Sequence, residues 1–111
     1  MDTLEVLRQA IASVFTEWEK LPRIPSDWKI VAVMDKEHDR YVLQDVSLVE
    51  ERFQVRMLAH VEIRDGKIWI LTDNTEEGIA TELLREGIAK AQIVLGFYPP
   101  SVREIGEFAV A

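Results

Sequence analysis

From Phe53 to Ile63 every second residue is apolar: Phe53, Val55, Met57, Ala59, Val61 and Ile63. Between them stand Gln54, Arg56, Leu58, His60 and Glu62. A period of two fits a pleated strand, whose side chains alternate between faces, and does not fit a helix. Asp65-Gly66 follows, and then Lys67 to Thr72 (KIWILT) as a returning strand. Asp-Gly between two such runs signals a two-residue type I′ turn with φ > 0 at both positions. That turn fixes the register. Arg64 is expected opposite Lys67, Ile63 opposite Ile68, Glu62 opposite Trp69, Val61 opposite Ile70 and His60 opposite Leu71. One face then carries Ile63, Ile68, Val61 and Ile70 and is assigned to the core. The other carries Leu58, His60, Glu62, Trp69 and Leu71. It is too apolar to stand in water and is expected to meet another part of the chain or another chain. Leu58, His60, Trp69 and Leu71 are the candidate partner-binding residues.

The flanking segments complete an α+β pattern. In Asp2 to Lys20, Leu4, Leu7, Ile11, Val14, Trp18 and Leu21 follow a 3-4-3-4-3 spacing, one apolar stripe of a helix. Asp2 with Glu5 has capping-box spacing, and Pro22 and Pro25 close the segment. The stripe favours core packing over a coiled-coil seam. Trp28 to Asp35 (WKIVAVMD) reads as a buried strand, Lys36-Glu37-His38 as a turn and Arg40 to Leu48 as a second strand. Val49-Glu50-Glu51 breaks that strand. Asn74 to Glu86 reads as a second helix capped by Asn74 or Thr75, with Gly78 inside it and Gly87 as the residue past its end. Ile93-Val94-Leu95 is a short strand or extended packing segment. Ser101 to Phe108 reads as a helical turn, and Phe108 to Ala111 as a tucked-in end. The expectation is one domain over residues 1–111: an N-terminal helix, an antiparallel sheet of about four strands in two hairpins, a second helix and short C-terminal elements.

Charge bounds the partners. Twenty acidic and 13 basic residues leave a net charge of −7. Non-specific nucleic-acid binding draws its strength from Lys and Arg on phosphates, so this balance weighs against it. An acidic domain suits a basic protein partner. Without cysteine there is no disulfide, thiolate nucleophile or thiolate metal site. No apolar run approaches the ~20 residues of a membrane helix, and Met1 to Glu5 lack the basic start of a secretory signal. A cytoplasmic protein without membrane contact is expected.

Catalytic patterns are scarce. His38 reads as a solvated turn residue and His60 as a sheet-face residue, and neither has metal-pair spacing. No G-x-S-x-G elbow, P-loop or G-x-G-x-x-G occurs. Ser13, Ser26, Ser47 and Ser101 adjoin no histidine in sequence. Asp73 could hold a cation or act as a base, but a capping role is favoured. Glu62-Ile63-Arg64 approaches a metal-dependent nuclease motif with Arg in the Lys position, and arginine cannot give up its proton. Arg52, Arg56, Arg64 and Lys67 form a modest basic strip if alternation holds. It is a candidate DNA contact, with a charge-protected solvent face as the favoured alternative. No cofactor or metal is expected.

The second half resembles a known family. The strings Asp65-Gly66-Lys67-Ile68-Trp69-Ile70, Asp73-x-Thr75-Glu76-x-Gly78-Ile79-Ala80-x-Glu82-Leu83, Ile93-Val94-Leu95-Gly96-Phe97 and Arg103-x-x-x-Glu107-Phe108-Ala109-Val110-Ala111 resemble the XisI family, the fdxN element excision controlling factors. The likeness extends more loosely over the N-terminal helix and first hairpin. Two positions depart from the pattern: Ala89 stands where proline is usual, and Tyr98 where histidine is frequent. The resemblance implies a part in programmed excision of a DNA element in cyanobacteria, with a recombinase and a neighbouring nuclease-fold protein, XisH. It brings no catalytic residues. The matched Asp65, Gly66, Gly78, Gly96, Arg103 and Glu107 read as fold determinants, with Arg103 and Glu107 spaced to pair on a helix. The favoured function is therefore non-enzymatic control through an XisH-like or recombinase partner. Direct DNA binding by the basic strip comes second and a metal-dependent nuclease third. Homo-oligomerisation through the Trp69 face is compatible with the first.

Overall fold

The computed structural model describes residues 2–22 and 27–111. Pro25, expected to help close the first helix, and Ser26 lie outside them. Helix α1 spans Thr3–Glu19, and the Asp2 carboxylate accepts from the Leu4 N–H at its start. Glu5 does not complete the capping box there and instead faces Arg8 at 3.7 Å. The stripe buries Leu7, Ile11 and Val14, with Ala10 and Phe15 widening it. Each large side chain so buried contributes ~1.5–3 kcal/mol. That face packs on the sheet, which confirms a core role.

Strands β1 (Trp28–Asp35), β2 (Arg40–Val49), β3 (Arg52–Arg64), β4 (Lys67–Asp73) and β5 (Ile93–Leu95) form one sheet in the order 1-2-3-4-5. The α+β fold is as expected, and the expectation of about four antiparallel strands in two hairpins, with β1 buried, differs from it in three details. The fifth strand runs parallel to β4, because helix α2 (Ile79–Arg85) carries the chain across between them. A third hairpin joins β2 to β3 through Glu50-Glu51, where both residues hold positive φ (51° and 65°). Neither glutamate is a usual turn former, so composition gave no signal. Strand β1 is not buried. It is the sheet edge, α1 covers one of its sides, and only Ile30 is enclosed.

The Asp65-Gly66 turn forms as expected, with φ of 49° and 75°. The pairs Arg64–Lys67, Ile63–Ile68, Glu62–Trp69 and Val61–Ile70 are as read from the sequence. His60, however, faces Thr72 and not Leu71. Leu71 is an extra residue on β4, and Leu58 is an extra residue on β3 opposite β2. An extra residue reverses the facing of everything beyond it. Ala59 and Val61 therefore point into the core. Phe53, Val55 and Met57, of the same parity, point to the other side and are 76%, 56% and 40% exposed. Asn74 holds the Leu58 bulge, its backbone N–H on the Leu58 carbonyl (2.7 Å) and its side-chain amide on the Met57 carbonyl (2.9 Å).

Asn74 to Glu77 is consequently not helical, and α2 starts later than the spacing suggests. Gly78 is its N-cap at φ +98°, a conformation that only glycine adopts without strain. At the other end Gly87 (φ +94°) forms the expected stop, with Gly87 N–H on Leu84 O and Ile88 N–H on Leu83 O. A single 3₁₀ turn at Lys90–Gln92 leads into β5. A short helix α3 (Pro100–Arg103) follows, and Ala109 bridges to Val94. No described helix is long and apolar enough to cross a membrane.

Candidate functional site

Several residues of the family-matched strings sit where elements of the fold meet. The Asp73 carboxylate accepts from the Thr75 N–H (3.0 Å) and hydroxyl (2.6 Å) on one oxygen, and from the Ile79 N–H (2.7 Å) on the other. Both oxygens are thus committed to the start of α2, which agrees with capping and leaves no lone acid there. Gly96 lies against β4: a Cβ on it would stand 3.0 Å from Leu71 Cδ2, 3.1 Å from the Ile70 carbonyl oxygen and 3.3 Å from Trp69 Cε3. Arg103 donates to the Tyr98 and Val110 carbonyls (3.0 and 2.6 Å) and lies 5.3 Å over the Trp69 ring. It does not pair with Glu107, because α3 stops at Arg103; Glu107 instead binds Lys90.

The candidate partner face is largely engaged by the chain itself. Trp69 is half-buried, with the guanidinium groups of Arg64 (5.6 Å) and Arg103 both in cation–π contact with its ring. Leu58 and Leu71 are the half-buried bulge residues, and Leu58 packs on the core. His60 Nε2 is 2.9 Å from Glu62 Oε2. Burial pushes the Glu62 carboxyl up, but hydrogen bonds from Arg64 and His60 prevail and hold it below the usual range.

The basic strip is not continuous. The Leu58 bulge sends Arg52 and Arg56 to the α1 side of the sheet, while His60 and Arg64 stay on the other, which corrects the shared face expected from simple alternation. Arg56 pairs with Asp45, a carboxylate only 4% exposed. Arg64 pairs with Glu62, and Lys67 donates to the Ala111 carbonyl oxygen. Among the described residues no cluster of three or more His, Asp or Glu suits a metal ion.

Three features carried no sequence signal. Arg8 on α1 forms a two-pronged pair with Asp39 (2.7 and 3.1 Å), and Tyr41, fully buried, donates to the same carboxylate (3.1 Å). The Arg8 guanidinium holds Asp39 below the usual carboxylate range; burial, then the Asp39 bond, pushes Tyr41 up to about 12. A folded-state pKa held down stabilises above the ordinary carboxylate pKa of about 4 and is lost as pH falls through the depressed value. Asp39→Asn is therefore expected to lower Tm at neutral pH, with the gap to wild type narrowing as pH falls below the ordinary carboxylate pKa of about 4. Thermal melts across that range check it, and a gap independent of pH would remove the ion pair as the cause.

The second feature is a groove of about 350 Å³ where α1 meets the α2 start, lined by Glu17, Trp18, Leu21, Glu76, Glu77 and Glu82. The Trp18 indole N–H donates to Glu82 (2.9 Å), and burial raises the Glu82 carboxyl. Arg85 pairs with Glu77 at one rim. The third is an apolar lobe around a 290 Å³ cavity lined by Leu95, Tyr98, Val102, Ile105 and Phe108, with Ile105 86% exposed.

Known proteins place this arrangement. No curated protein matches the sequence. The crystal structure of fdxN element excision controlling factor XisI from Anabaena variabilis matches with a TM-score of 0.81 at 30% identity, over 99% of this chain and 100% of that one. A XisI-like protein from the same organism matches with a TM-score of 0.76 at 25% identity, over 97% of this chain and 95% of that one. The family model described as XisI protein matches residues 1–110. The chain belongs to the XisI family.

Proposed function

We propose that this chain is a non-enzymatic controlling factor for excision of a DNA element, and that it acts by binding an XisH-like nuclease-fold protein or the recombinase. Family membership supports the process, since the 30%-identical relative is an fdxN element excision controlling factor. The observation that carries the mode of action is the groove between α1 and α2. Four glutamates surround Trp18 and Leu21 there, an acidic rim about an apolar floor, in which Glu17 and Glu77 meet Lys20 and Arg85 in exposed ion pairs and Glu76 has no cation partner among the described residues. A basic, DNA-facing surface of a partner is complementary to it, and docking would withhold that surface from DNA. Direct DNA binding has less support, because the basic residues lie on two faces and Arg56, Arg64 and Lys67 already have oxygen partners. Nuclease chemistry has less still, because Asp73 caps α2 and Glu62 lies between His60 and Arg64.

Co-purification with an XisH-like protein tests the reading. A complex is expected at low salt, weakening roughly tenfold or more as ionic strength rises to several tenths molar. Glu76→Lys with Glu77→Lys should abolish it. No co-elution at low salt, or indifference to the charge reversal, would sink the docking reading. Loss on His60→Ala instead would move the partner to the Leu58–His60–Trp69–Leu71 face.

A further inference from the structure

The bulge at Leu58 leaves an apolar sheet face that nothing among the described residues covers. On β1 to β3, opposite α1, it exposes Val33, Leu48, Phe53, Val55 and Met57. Val31, Val42 and Val46 fill the spaces between them. Lys29 and Gln44 are the polar side chains within it, and half-buried His60, beside Val42, lies at its border. We propose that this face binds the same face of a second copy of the chain.

Several observations select a copy of the chain as occupant. Three strands ~4.8 Å apart and about ten residues at ~3.4 Å give a projected face of roughly 500 Å². That lies at the upper end of the largest patch on an ordinary monomer. Side-chain relief adds to it, bringing the accessible area toward the ~800 Å² per partner of a stable dimer. Charge at the face permits this: two chains of net charge −7 repel at long range, but the face itself is close to neutral. Addition at the strand edge is obstructed, because the Ala32 N–H of β1 is taken by the Glu19 carboxylate at 2.8 Å. Contact face to face remains open.

The two ends of β2 are also complementary to each other. Glu50 and Glu51 sit at the tip of the β2–β3 hairpin, held at positive φ without a glycine. At the far end Lys36 and Arg40 are exposed, with no carboxylate partner among the described residues. Of the acids near them, Asp35 is engaged by His38, Asp39 by Arg8 and Glu62 by His60 and Arg64, which leaves exposed Glu37 against the two cations. A two-fold axis in the plane of the face and across the strands lays each acidic tip on the partner's basic end, twice per dimer. That is the self-complementarity an isologous interface requires. Two sheets so stacked would lie ~10 Å apart, as in a sandwich.

Light scattering on the size-exclusion peak of the full chain tests the proposal, with no other protein present. Its failure therefore leaves the partner reading standing. Wild type is expected at twice the 12.8 kDa chain mass. Phe53→Glu should raise the dimer dissociation constant by at least roughly thirtyfold, the loss of the largest exposed apolar side chain of the face. Phe53 is exposed, so the melting curve of the monomer serves as the folding control. Glu50→Lys with Glu51→Lys should weaken self-association, and mixing that variant with Lys36→Glu/Arg40→Glu should restore a mixed dimer. Glu50→Asn with Glu51→Gly keeps the turn and removes only the charge, and should also weaken pairing. Ile105→Glu, in the C-terminal lobe, should leave the dimer intact. A wild-type mass of one chain at about 100 μM, a dimer that survives Phe53→Glu, or one lost with Ile105→Glu would each overturn the proposal.

Discussion

Asp73→Ala lowers the stability of this fold by about 3 kcal/mol, the largest effect expected of any single polar side chain here. The reason is the number of donors that one carboxylate satisfies. It accepts from the Thr75 N–H and hydroxyl and from the Ile79 N–H, the first N–H of α2. Gly78, the N-cap residue, has no side chain to do this. Alanine leaves these groups half-buried without an acceptor, and an N–H orphaned in that way costs about 1–3 kcal/mol. The helix also loses the negative charge at its positive end. An asparagine side chain would keep one accepting oxygen, so Asp73→Asn should fall between wild type and alanine. At this chain length the alanine variant should melt more than about 10 °C lower. Urea or thermal unfolding gives the order wild type, asparagine, alanine. An alanine variant within about 1 kcal/mol of wild type, near the scale of an ordinary surface change, would show that α2 is held by packing alone.

Gly96→Ala should destabilise by about 1–3 kcal/mol, through crowding rather than through backbone strain. The alanine methyl meets Leu71 Cδ2 at 3.0 Å, the Ile70 carbonyl oxygen at 3.1 Å and the Trp69 ring at 3.3 Å. A leucine methyl can turn aside. The Ile70 carbonyl belongs to β4, which is paired on both edges, and cannot move without disturbing the ladder. A smaller opposing gain of about 0.4–1 kcal/mol comes from a less flexible unfolded chain. Gly106→Ala is the control, since its nearest atom is 3.7 Å away and its φ is not positive. The Gly96 variant should also disturb the near-ultraviolet signal of Trp69. Equal stability in the two variants would mean that the C-terminal segment floats over β4 rather than packing on it.

These two residues belong to strings that the family resemblance rests on, D-x-T-E-x-G-I-A and I-V-L-G-F. Their spacing was visible in the sequence and a capping role for Asp73 was legible there, but the atoms that each residue meets were not. Gly78 looked like a helix-interior glycine because Asn74 to Glu86 has acceptable helical composition. The structure assigns Asn74 to the bulge in β3 and starts the helix at Ile79. Arg103 and Glu107 looked like a helical pair, yet the helix between them ends too early. In each case hydrogen bonds made outside a helix took the place of the helical pairing that the spacing suggested.

The main elements and one turn were legible in the residues alone. Alternation over Phe53 to Ile63, the Asp65-Gly66 dipeptide and the stripe from Leu4 to Trp18 are local, periodic signals, and strand, hairpin and helix followed from them. Leu58 and Leu71 also left a faint mark as apolar residues on the face that otherwise holds Gln54, Arg56, His60 and Glu62. What each face meets depends on the packed fold. A bulge forms because a strand must fit its neighbours' twist and pairing, and neither is encoded at a single position. The bulge at Leu58 placed Phe53, Val55 and Met57, of the same parity as the core residues Val61 and Ile63, on open surface and divided the basic strip between two faces. The parallel fifth strand and the Arg8–Asp39–Tyr41 corner likewise depend on residues far apart in the chain. The hairpin at Asp65-Gly66 was legible in the sequence, while the surface offered to a partner was set by one extra residue in the strand before it.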